Sequence, residues 1–246
     1  MTRRIRWFSA GAASAVATKL DLAAHPGGVV AYCDAGAEDE DNARFMKDCE
    51  AWFGVPVERL RNPEFADTWA VWEKRRYMSG IAGAPCTDEL KRWPRIQFQR
   101  PDDVHIFGYT ADSNDMRRAT AFRANYPDVT MEAPLIERGI NKAAAMALVE
   151  RAGIKLPRVY AMGFSNANCI PCVKATSPDY WALVRKEFPM QFQRAATLSR
   201  EIGCRLARLN DERVFIDQIP ADQPTTNPIA PACDFLCHIA GSEMDA

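Results

Sequence analysis

The sequence predicts a doubly wound α/β protein built on a mostly parallel, five-stranded sheet. Segments with strand character alternate with segments of helical spacing through the first half of the chain, and several of the strand segments are continuously apolar, as in Gly28–Cys33. Parallel strands need crossover helices between them, and because both faces of their sheet are covered, they have few polar positions. Ligands of such sheets bind at the carboxyl ends of the strands. We therefore expect the loops after Phe8, Cys33 and Tyr109 to share one rim.

The elements follow from local patterns taken in chain order. A strand precedes the glycine turn at Gly11, and a helix follows it; later helices show apolar residues three or four positions apart, such as Met46, Cys49 and Phe53. The predicted strands are Arg4–Phe8, Gly28–Cys33, Val55–Leu60, Val104–Tyr109 and Val129–Pro134. The predicted helices are Ala12–Ala24, Asp39–Phe53, Ala66–Gly80 (with Trp69, Trp72 and Tyr77 as its buried face), Met116–Tyr126, Lys142–Ala152 and Pro178–Gly203 with a break near Pro189.

The alternation ends after Asn141, which divides the chain into two segments. Residues 1–140 are predicted to form an α/β core, and residues 141–246 a helical, cysteine-bearing extension packed on that core. Within the extension, Gly163–Pro178 is expected to be a loop. The segment Ile219–Ala246 holds four of the 16 prolines and is expected to be a mostly irregular arm that returns to the site.

Composition excludes several classes of function. The 31 Lys and Arg residues nearly balance the 32 Asp and Glu residues, so the chain is neither a broadly basic nucleic-acid coat nor an acidic tail. No apolar run approaches the roughly 18 residues that a membrane span needs, so no membrane association is expected. The arginines after Met1 resemble the start of a leader peptide, but the segment that follows is only weakly apolar. We expect a cytoplasmic protein, with a nucleic-acid partner and homo-oligomerisation left open.

The eight cysteines are the most unusual part of the composition. Cys169 and Cys172 form a C-x-x-C pair beside a proline, Cys233 and Cys237 form a second close pair, and Cys86 stands alone upstream. Closely spaced thiolates suit Zn²⁺, an iron–sulfur cluster or a redox dithiol. The other three, Cys33, Cys49 and Cys204, lie in apolar or amphipathic segments and are expected to be small buried side chains.

Two rim loops carry candidate ligand-binding residues. Ser9, Gly11 and Ser14 lie between the first strand and its helix, where backbone N–H groups and the helix N-terminus can hold an anion, although the loop lacks the P-loop spacing and is equally consistent with a plain tight turn. Asp34 follows the second strand. Its carboxylate can contact a ribose, a metal or an amine, or can simply form the turn.

Four stretches together resemble the phosphoadenosine phosphosulfate (PAPS) reductase family of the PP-loop, adenine nucleotide α-hydrolase-like superfamily. Three lie in the first half of the chain: Phe8-Ser-Ala-Gly-Ala-Ala-Ser-Ala-Val16, Tyr32-Cys-Asp-Ala-Gly36, and residues 107–119 with Arg117 and Arg118. The fourth, Gly163-Phe-Ser-Asn-Ala-Asn-Cys-Ile-Pro-Cys172, is similar to the cysteine motif of the iron–sulfur adenylylsulfate reductases, and Pro85–Lys91 is similar to their Cys-Cys-x-x-x-Lys stretch.

The chain also departs from this family. The tandem cysteine is a single Cys86, and the C-terminal Glu-Cys-Gly-Leu-His has no clean copy, Cys237-His238 being the nearest. Ala13 stands where the ATP-dependent synthetase-type loops have Asp, which favours the reductase branch.

The resemblance implies an adenine nucleotide whose phosphates bind at Ser9–Ser14, with Lys91, Arg117 and Arg118 as anion clamps. Alternatively, the two arginines simply face solvent in the first turn of a helix. It implies a sulfonucleotide substrate, PAPS or adenylylsulfate, that is attacked by Cys237 beside His238. An enzyme thiosulfonate forms, and a thioredoxin- or glutaredoxin-like donor releases sulfite from it. The implied cofactor is a [4Fe–4S] cluster, whose ligands are predicted to be Cys86, Cys169, Cys172 and Cys233.

Three alternatives stay open. In the first, three cysteines bind the cluster and one iron has no cysteine ligand. This arrangement would suit a PP-loop sulfur transferase acting on a nucleic acid or small molecule. Cys233 and Cys237 can exchange roles as ligand and nucleophile. Finally, Zn²⁺ on four thiolates would make the chain a non-catalytic nucleotide-binding module.

Overall fold

One parallel sheet organises the protein. The computed structural model describes residues 2–233 and 235–245, and in it five strands pair in the order β3-β2-β1-β4-β5. They are β1 (Arg4–Trp7), β2 (Val29–Cys33), β3 (Val57–Leu60), β4 (Val104–Phe107) and β5 (Thr130–Glu132). Ile5 of the central strand pairs with Val29 on one side and with His105 on the other. The predicted fold class, an α/β protein with a five-stranded parallel sheet, is therefore confirmed.

Helices cover the sheet and build the extension. None of those in the described ranges is both long enough and apolar enough to cross a lipid bilayer. The helices are α1 (Ala12–Ala24), α2 (Asp41–Phe53), α3 (Thr68–Arg75), α4 (Pro85–Thr87), α5 (Trp93–Phe98), α6 (Ser113–Asn125), α7 (Pro134–Glu137), α8 (Lys142–Arg151), α9 (Arg158–Met162), α10 (Pro178–Glu187), α11 (Pro189–Ile202) and α12 (Phe235–Asp245).

Helix α1 lies at the centre of the main apolar core. It contacts β1 and β4 of the sheet as well as α8 and α12 of the extension, and Ala15, Val16 and Leu20 are almost completely buried. Small residues such as Ala12, Ala15 and Ala17 let neighbouring elements approach closely. The same core holds Phe8 and Phe45 from the first segment and Trp181 and Leu183 from the extension.

The structure departs from the predicted elements in three places. Residues 85–98, for which no element was predicted, form α4, a π-helical turn at Asp88–Arg92, and α5. A hairpin of β6 (Ala207–Leu209) and β7 (Glu212–Val214) follows α11. The tail, predicted to be a mostly irregular arm, ends in α12, because Cys237, Ala240 and Met244 recur at helical spacing and are buried. The helix break near Pro189 is confirmed, since α10 ends at Glu187.

His105 in β4 is a buried histidine. Its ring stacks on Trp7 and accepts a 2.9 Å hydrogen bond from the Trp7 indole N–H at Nδ1. Burial lowers the pKa of His105 from 6.5 to about 4. His25, in contrast, is the C-cap residue of α1.

The lowered pKa predicts acid sensitivity of the fold. Between pH 6.5 and about 4 the unfolded chain binds a proton at His105 and the native chain does not, so stability falls as pH drops through this window. We expect His105 to contribute a loss of about 2–3 kcal/mol in the free energy of unfolding. Urea denaturation at pH 7, 5.5 and 4.5 measures it. His105→Gln keeps an acceptor for Trp7 without titrating, so its stability should fall less; an equal fall in both proteins would contradict this assignment.

Candidate functional site

The order of the strands puts the switch point of the sheet between β1 and β4. The chain runs outward from β1 to β2 and β3 on one side, and from β4 to β5 on the other. In open parallel sheets, ligands bind outside the carboxyl ends of the strands at such a switch point, which we call the β1/β4 cleft. Residues 8–14 and 108–112 are the segments that follow these two strands.

The loop after β1 is held in a strained, ordered conformation. Ala10 is buried and has a left-handed backbone with φ of 54°. This conformation is energetically unfavourable for any residue other than glycine. The Ser14 hydroxyl accepts the Ser9 N–H at 3.0 Å and donates to the Gly11 carbonyl at 2.9 Å. The Ser9 hydroxyl oxygen lies 3.0 Å from the Ser14 hydroxyl oxygen. Of the two serines, only Ser9 is exposed, so it is the one available to a ligand.

The N-terminus of α1 has the electrostatics of an anion site. The helix begins after Gly11 with no side-chain cap and no acidic residue in its first turn, so its positive end is not compensated locally. The Ala12 N–H donates to the Tyr160 hydroxyl at 3.2 Å, and the Ala167 backbone also bonds this hydroxyl. Tyr160 thus joins the β1 loop to the segment that carries the C-x-x-C pair.

Gly108 allows β4 to end against the first turn of α1. A Cβ atom at this position would lie 2.5 Å from Ser14 Cα and 2.7 Å from Ser14 N. Both atoms belong to the backbone and cannot move aside as a flexible side chain would. The close approach of the two loops therefore depends on a missing side chain at position 108.

Asp34 forms its own turn and an ion pair. One carboxylate oxygen accepts the Gly36 N–H at 3.0 Å, and the other accepts from Arg61 Nε at 2.9 Å. These contacts match the turn-forming interpretation of Asp34. A direct role toward a ribose, metal or amine stays a prediction.

The two predicted arginine clamps lie on the exposed face of α6. Arg117 donates to Asn114, and Arg118 pairs with Asp115 at 2.7 Å while lying over the Tyr109 ring. These contacts match the solvated helix turn more closely than an anion clamp. Lys142, which the sequence did not single out, lies nearer the cysteine loop, because its Nζ donates to the Ser165 carbonyl at 2.6 Å.

Three of the predicted cysteine ligands come together around Lys91. The thiols of Cys86, Cys169 and Cys172 each raise the pKa of Lys91, with Cys169 the largest contributor, and they also act on one another electrostatically. Lys91 lies on the π-helical turn, a feature that is frequent at functional sites. Lys91 is therefore a cation among thiols in this structure, and its role as an anion clamp stays a prediction.

Glu38 and Tyr32 complete the surroundings of these thiols. Cys169 Sγ donates to a Glu38 carboxylate oxygen at 3.5 Å, and Tyr32, on β2, is hydrogen-bonded to the same side chain. Burial raises the pKa of the Cys169 thiol, whereas Lys91 acts in the opposite direction. On the far side, the Cys172 N–H donates to the Tyr180 hydroxyl at 2.6 Å. In the sequence, the only feature that points to Glu38 and Tyr32 is that both are close to Asp34 along the chain.

The predicted four-cysteine ligand set is not assembled. Cys233 forms a disulfide with Cys237, so neither offers a thiolate in this structure. The pair lies against α8, where Ala232 N–H bonds the Ala143 carbonyl and Cys237 is fully buried. Their predicted roles, Cys233 as a ligand and Cys237 as a nucleophile, would both require this disulfide to be reduced and stay predictions. His238 is exposed, with Nδ1 3.3 Å from Arg151.

The remaining thiols are neighbours, but they are not arranged as a metal site. Within residues 2–233 and 235–245, no three His, Cys, Asp or Glu side chains are positioned to hold one metal ion. Cys86, Cys169 and Cys172 act on one another and on Lys91 electrostatically, so a centre held by them stays a prediction. Cys49 and Cys204 are buried, as expected of packing residues.

A cavity of about 620 Å³ opens beside the cysteine loop. Its wall includes Glu38, Asp39 and Ile170 on one side and Phe188 and Arg194 on the other. Cys86, Cys169 and Cys172 do not line this cavity; Glu38, which contacts Cys169, does.

The geometry defines a doubly wound α/β protein with a cleft at its switch point and a three-thiol cluster behind one rim. No protein-family model matches the sequence, and no curated protein is significantly similar to it. Its function is therefore argued from this geometry and from the motifs themselves.

Proposed function

We propose that this protein is an enzyme of sulfur chemistry that binds an adenine nucleotide at the β1/β4 cleft. The observation that carries the proposal is the convergence of Cys86, Cys169 and Cys172 around Lys91, in a loop that Tyr160 ties to the N-terminus of α1. The nucleotide's phosphate would bind at Ser9 and the first amides of α1, where an anion is favoured. Cys86, Cys169 and Cys172 would hold an iron–sulfur centre, which supplies electron-accepting or sulfur-binding capacity when bound.

The first form of the proposal is a PAPS or adenylylsulfate reductase. A cysteine thiolate attacks the sulfur of the sulfate group, the bond from sulfur to the bridging phosphate oxygen breaks, and the nucleotide leaves with the electron pair. A dithiol donor then attacks the cysteine sulfur of the thiosulfonate, sulfite leaves, and the donor ends as a disulfide. For Cys237 to be the nucleophile, its disulfide with Cys233 must first be reduced.

The second form is a sulfur transferase, and the ligand count favours it. Three thiols converge and the fourth predicted ligand is engaged in a disulfide, so a centre held here would retain one position without a protein thiolate. A site with an open position can bind a further sulfur atom, and in this form no role is needed for Cys237.

Reconstitution and turnover separate these forms. The chain is loaded anaerobically with iron and sulfide, and its visible absorption is recorded for the native chain, for Cys86→Ser and Cys172→Ser, and for Cys49→Ala as a buried control outside the cluster. We expect a thiolate–iron band that both serine variants lose and the control keeps. Failure of the native chain to form the band would contradict the proposed centre.

Sulfite release then tests the reaction. Labelled adenylylsulfate and PAPS are supplied with a dithiol reductant, and sulfite is measured for the native chain and for Cys237→Ser. Release that depends on Cys237 supports the reductase form. Nucleotide binding with no sulfite release contradicts it and leaves the transferase form, which predicts that Cys237→Ser binds nucleotide and assembles the centre normally.

A further inference from the structure

Arg95 is a buried cation with no anionic partner. Its side chain on α5 is 8% exposed, and among residues 2–233 and 235–245 its guanidinium makes no hydrogen bond and no ion pair. Arginine is almost never buried to this extent without an acceptor, because an unpaired charge away from water is costly. Its Nε is enclosed, whereas the two Nη atoms are not, so the end of the guanidinium reaches the protein surface.

Two aromatic rings hold this guanidinium between α5 and α6. The guanidinium carbon of Arg95 lies 5.1 Å from the ring centroid of Phe122 and 4.6 Å from that of Tyr126. Ring faces attract a cation, but they carry no net charge and offer no oxygen to its N–H groups. The rings therefore fix the position of the guanidinium and leave its donors available.

A second arginine lies against the same tyrosine ring. Arg92 is one helical turn before Arg95, and its guanidinium carbon lies 5.8 Å from the Tyr126 centroid. Its ion pair with Asp88, at 3.3 Å, joins two half-exposed side chains and contributes little. Two cations beside one ring repel each other, and an anion between them would remove that repulsion. Phosphate and sulfate suit such a pair, because one guanidinium can donate two parallel N–H bonds to their oxygens.

We propose that Arg95 and Arg92 form a binding site for a phosphate or sulfate group between α5 and α6, whether that group is free or carried by a larger molecule. The site is separate from the β1/β4 cleft. Phe98 of α5 packs with Trp7 and Phe107 in an apolar cluster apart from the main core that contains α1. The inference therefore does not depend on the proposed function.

Arg95→Met tests the site, with Arg123→Met as its matched control. Methionine keeps an apolar stem to pack against the rings but has no charge and no donor. Arg123 is an exposed arginine of α6 with no ring contact among the described residues. Titration calorimetry with inorganic phosphate gives the affinity of the full chain. We expect Arg95→Met to weaken binding by about tenfold or more, Arg92→Met to weaken it less, and Arg123→Met to bind as the native chain does.

Chemical labelling of the native chain gives a second measurement if Arg95→Met does not fold. Phenylglyoxal modifies accessible guanidinium groups, and phosphate should slow its reaction at Arg92 but not at Arg123, as read by peptide mass spectrometry. Equal rates with and without phosphate, or native phosphate affinity in a folded Arg95→Met, would overturn the site. An enclosed water between Arg95 and the unpartnered Oε1 of Gln99 would then be the missing partner.

A series of ligands on the native chain identifies the class of anion. Sulfate should bind like phosphate, whereas acetate should bind about tenfold more weakly or worse, because it carries only one negative charge. Equal affinity for acetate would overturn the assignment to phosphate or sulfate. A single-stranded oligonucleotide that binds the native chain but not Arg95→Met would show that the phosphate is carried by a nucleic acid. Binding of inorganic phosphate alone would show that the anion is free.

Discussion

Gly108→Ala is expected to abolish nucleotide binding and to destabilise the fold by roughly 3 kcal/mol, at the upper end for overpacking. The new Cβ would stand 2.5 Å from Ser14 Cα, so β4 or the first turn of α1 has to move. That movement displaces the Ser9 and Ser14 bonds that order the loop. Titration calorimetry with AMP and with adenosine 3′,5′-bisphosphate measures binding, and urea denaturation measures stability.

Gly54→Ala is the control for this substitution. Gly54 ends α2 with φ of 72° and has open space around its missing side chain. Alanine at position 54 should lower the free energy of unfolding by about 1 kcal/mol, because of the left-handed backbone alone, and should leave nucleotide binding unchanged. Native affinity in Gly108→Ala would show that the phosphate binds away from the β1/β4 cleft.

Lys91→Met is expected to slow alkylation of Cys86 and Cys169 at pH 8 by about tenfold or more. The thiolate is the reactive form, and the Lys91 charge favours it at both thiols; each unit of pKa changes the thiolate fraction tenfold. Iodoacetamide labelling of the metal-free chain, followed by peptide mass spectrometry, gives the rate at each cysteine.

Two comparisons make the lysine result specific. Lys91→Arg keeps the charge and should keep most of the native reactivity, while Cys49, buried on α2 and not affected by Lys91, should be unchanged in every variant. Equal alkylation rates in the native chain and in Lys91→Met would contradict an electrostatic effect of Lys91 on the thiols. Faster alkylation of Cys49 would indicate a general loss of the fold, because this thiol is fully buried in the native chain.

The regular part of the fold was predictable because its signals are local. Helix α1 begins and ends where the glycine turn and the apolar spacing placed it, and β2 and β4 follow from short apolar runs. The tail helix was missed because the prolines from Pro220 to Pro231 dominated the interpretation of the whole segment. Its buried positions, Cys237, Ala240 and Met244, were too few to outweigh them.

The site was predictable only where a motif carried it. Cys86, Cys169 and Cys172 were grouped by resemblance, and the structure brings them together across more than 80 positions of sequence. Glu38 and Tyr32, which lie beside Cys169, are ordinary residues in ordinary segments, and only tertiary packing brings them to the thiols. The Cys233–Cys237 disulfide was missed because a spacing of four residues suits ligands and a disulfide equally well.

The Tyr160 hydroxyl has a thermodynamic consequence. One oxygen atom holds the Ala12 N–H at the nucleotide loop and the Ala167 backbone two residues before Cys169. If a bound phosphate draws the first turn of α1 toward itself, the change in that hydrogen bond alters the free energy of the cysteine loop. Reciprocity then requires that assembly of the thiol centre alter nucleotide affinity by the same factor. Under the proposed function, the Tyr160 hydroxyl would therefore couple nucleotide binding to assembly of the thiol centre.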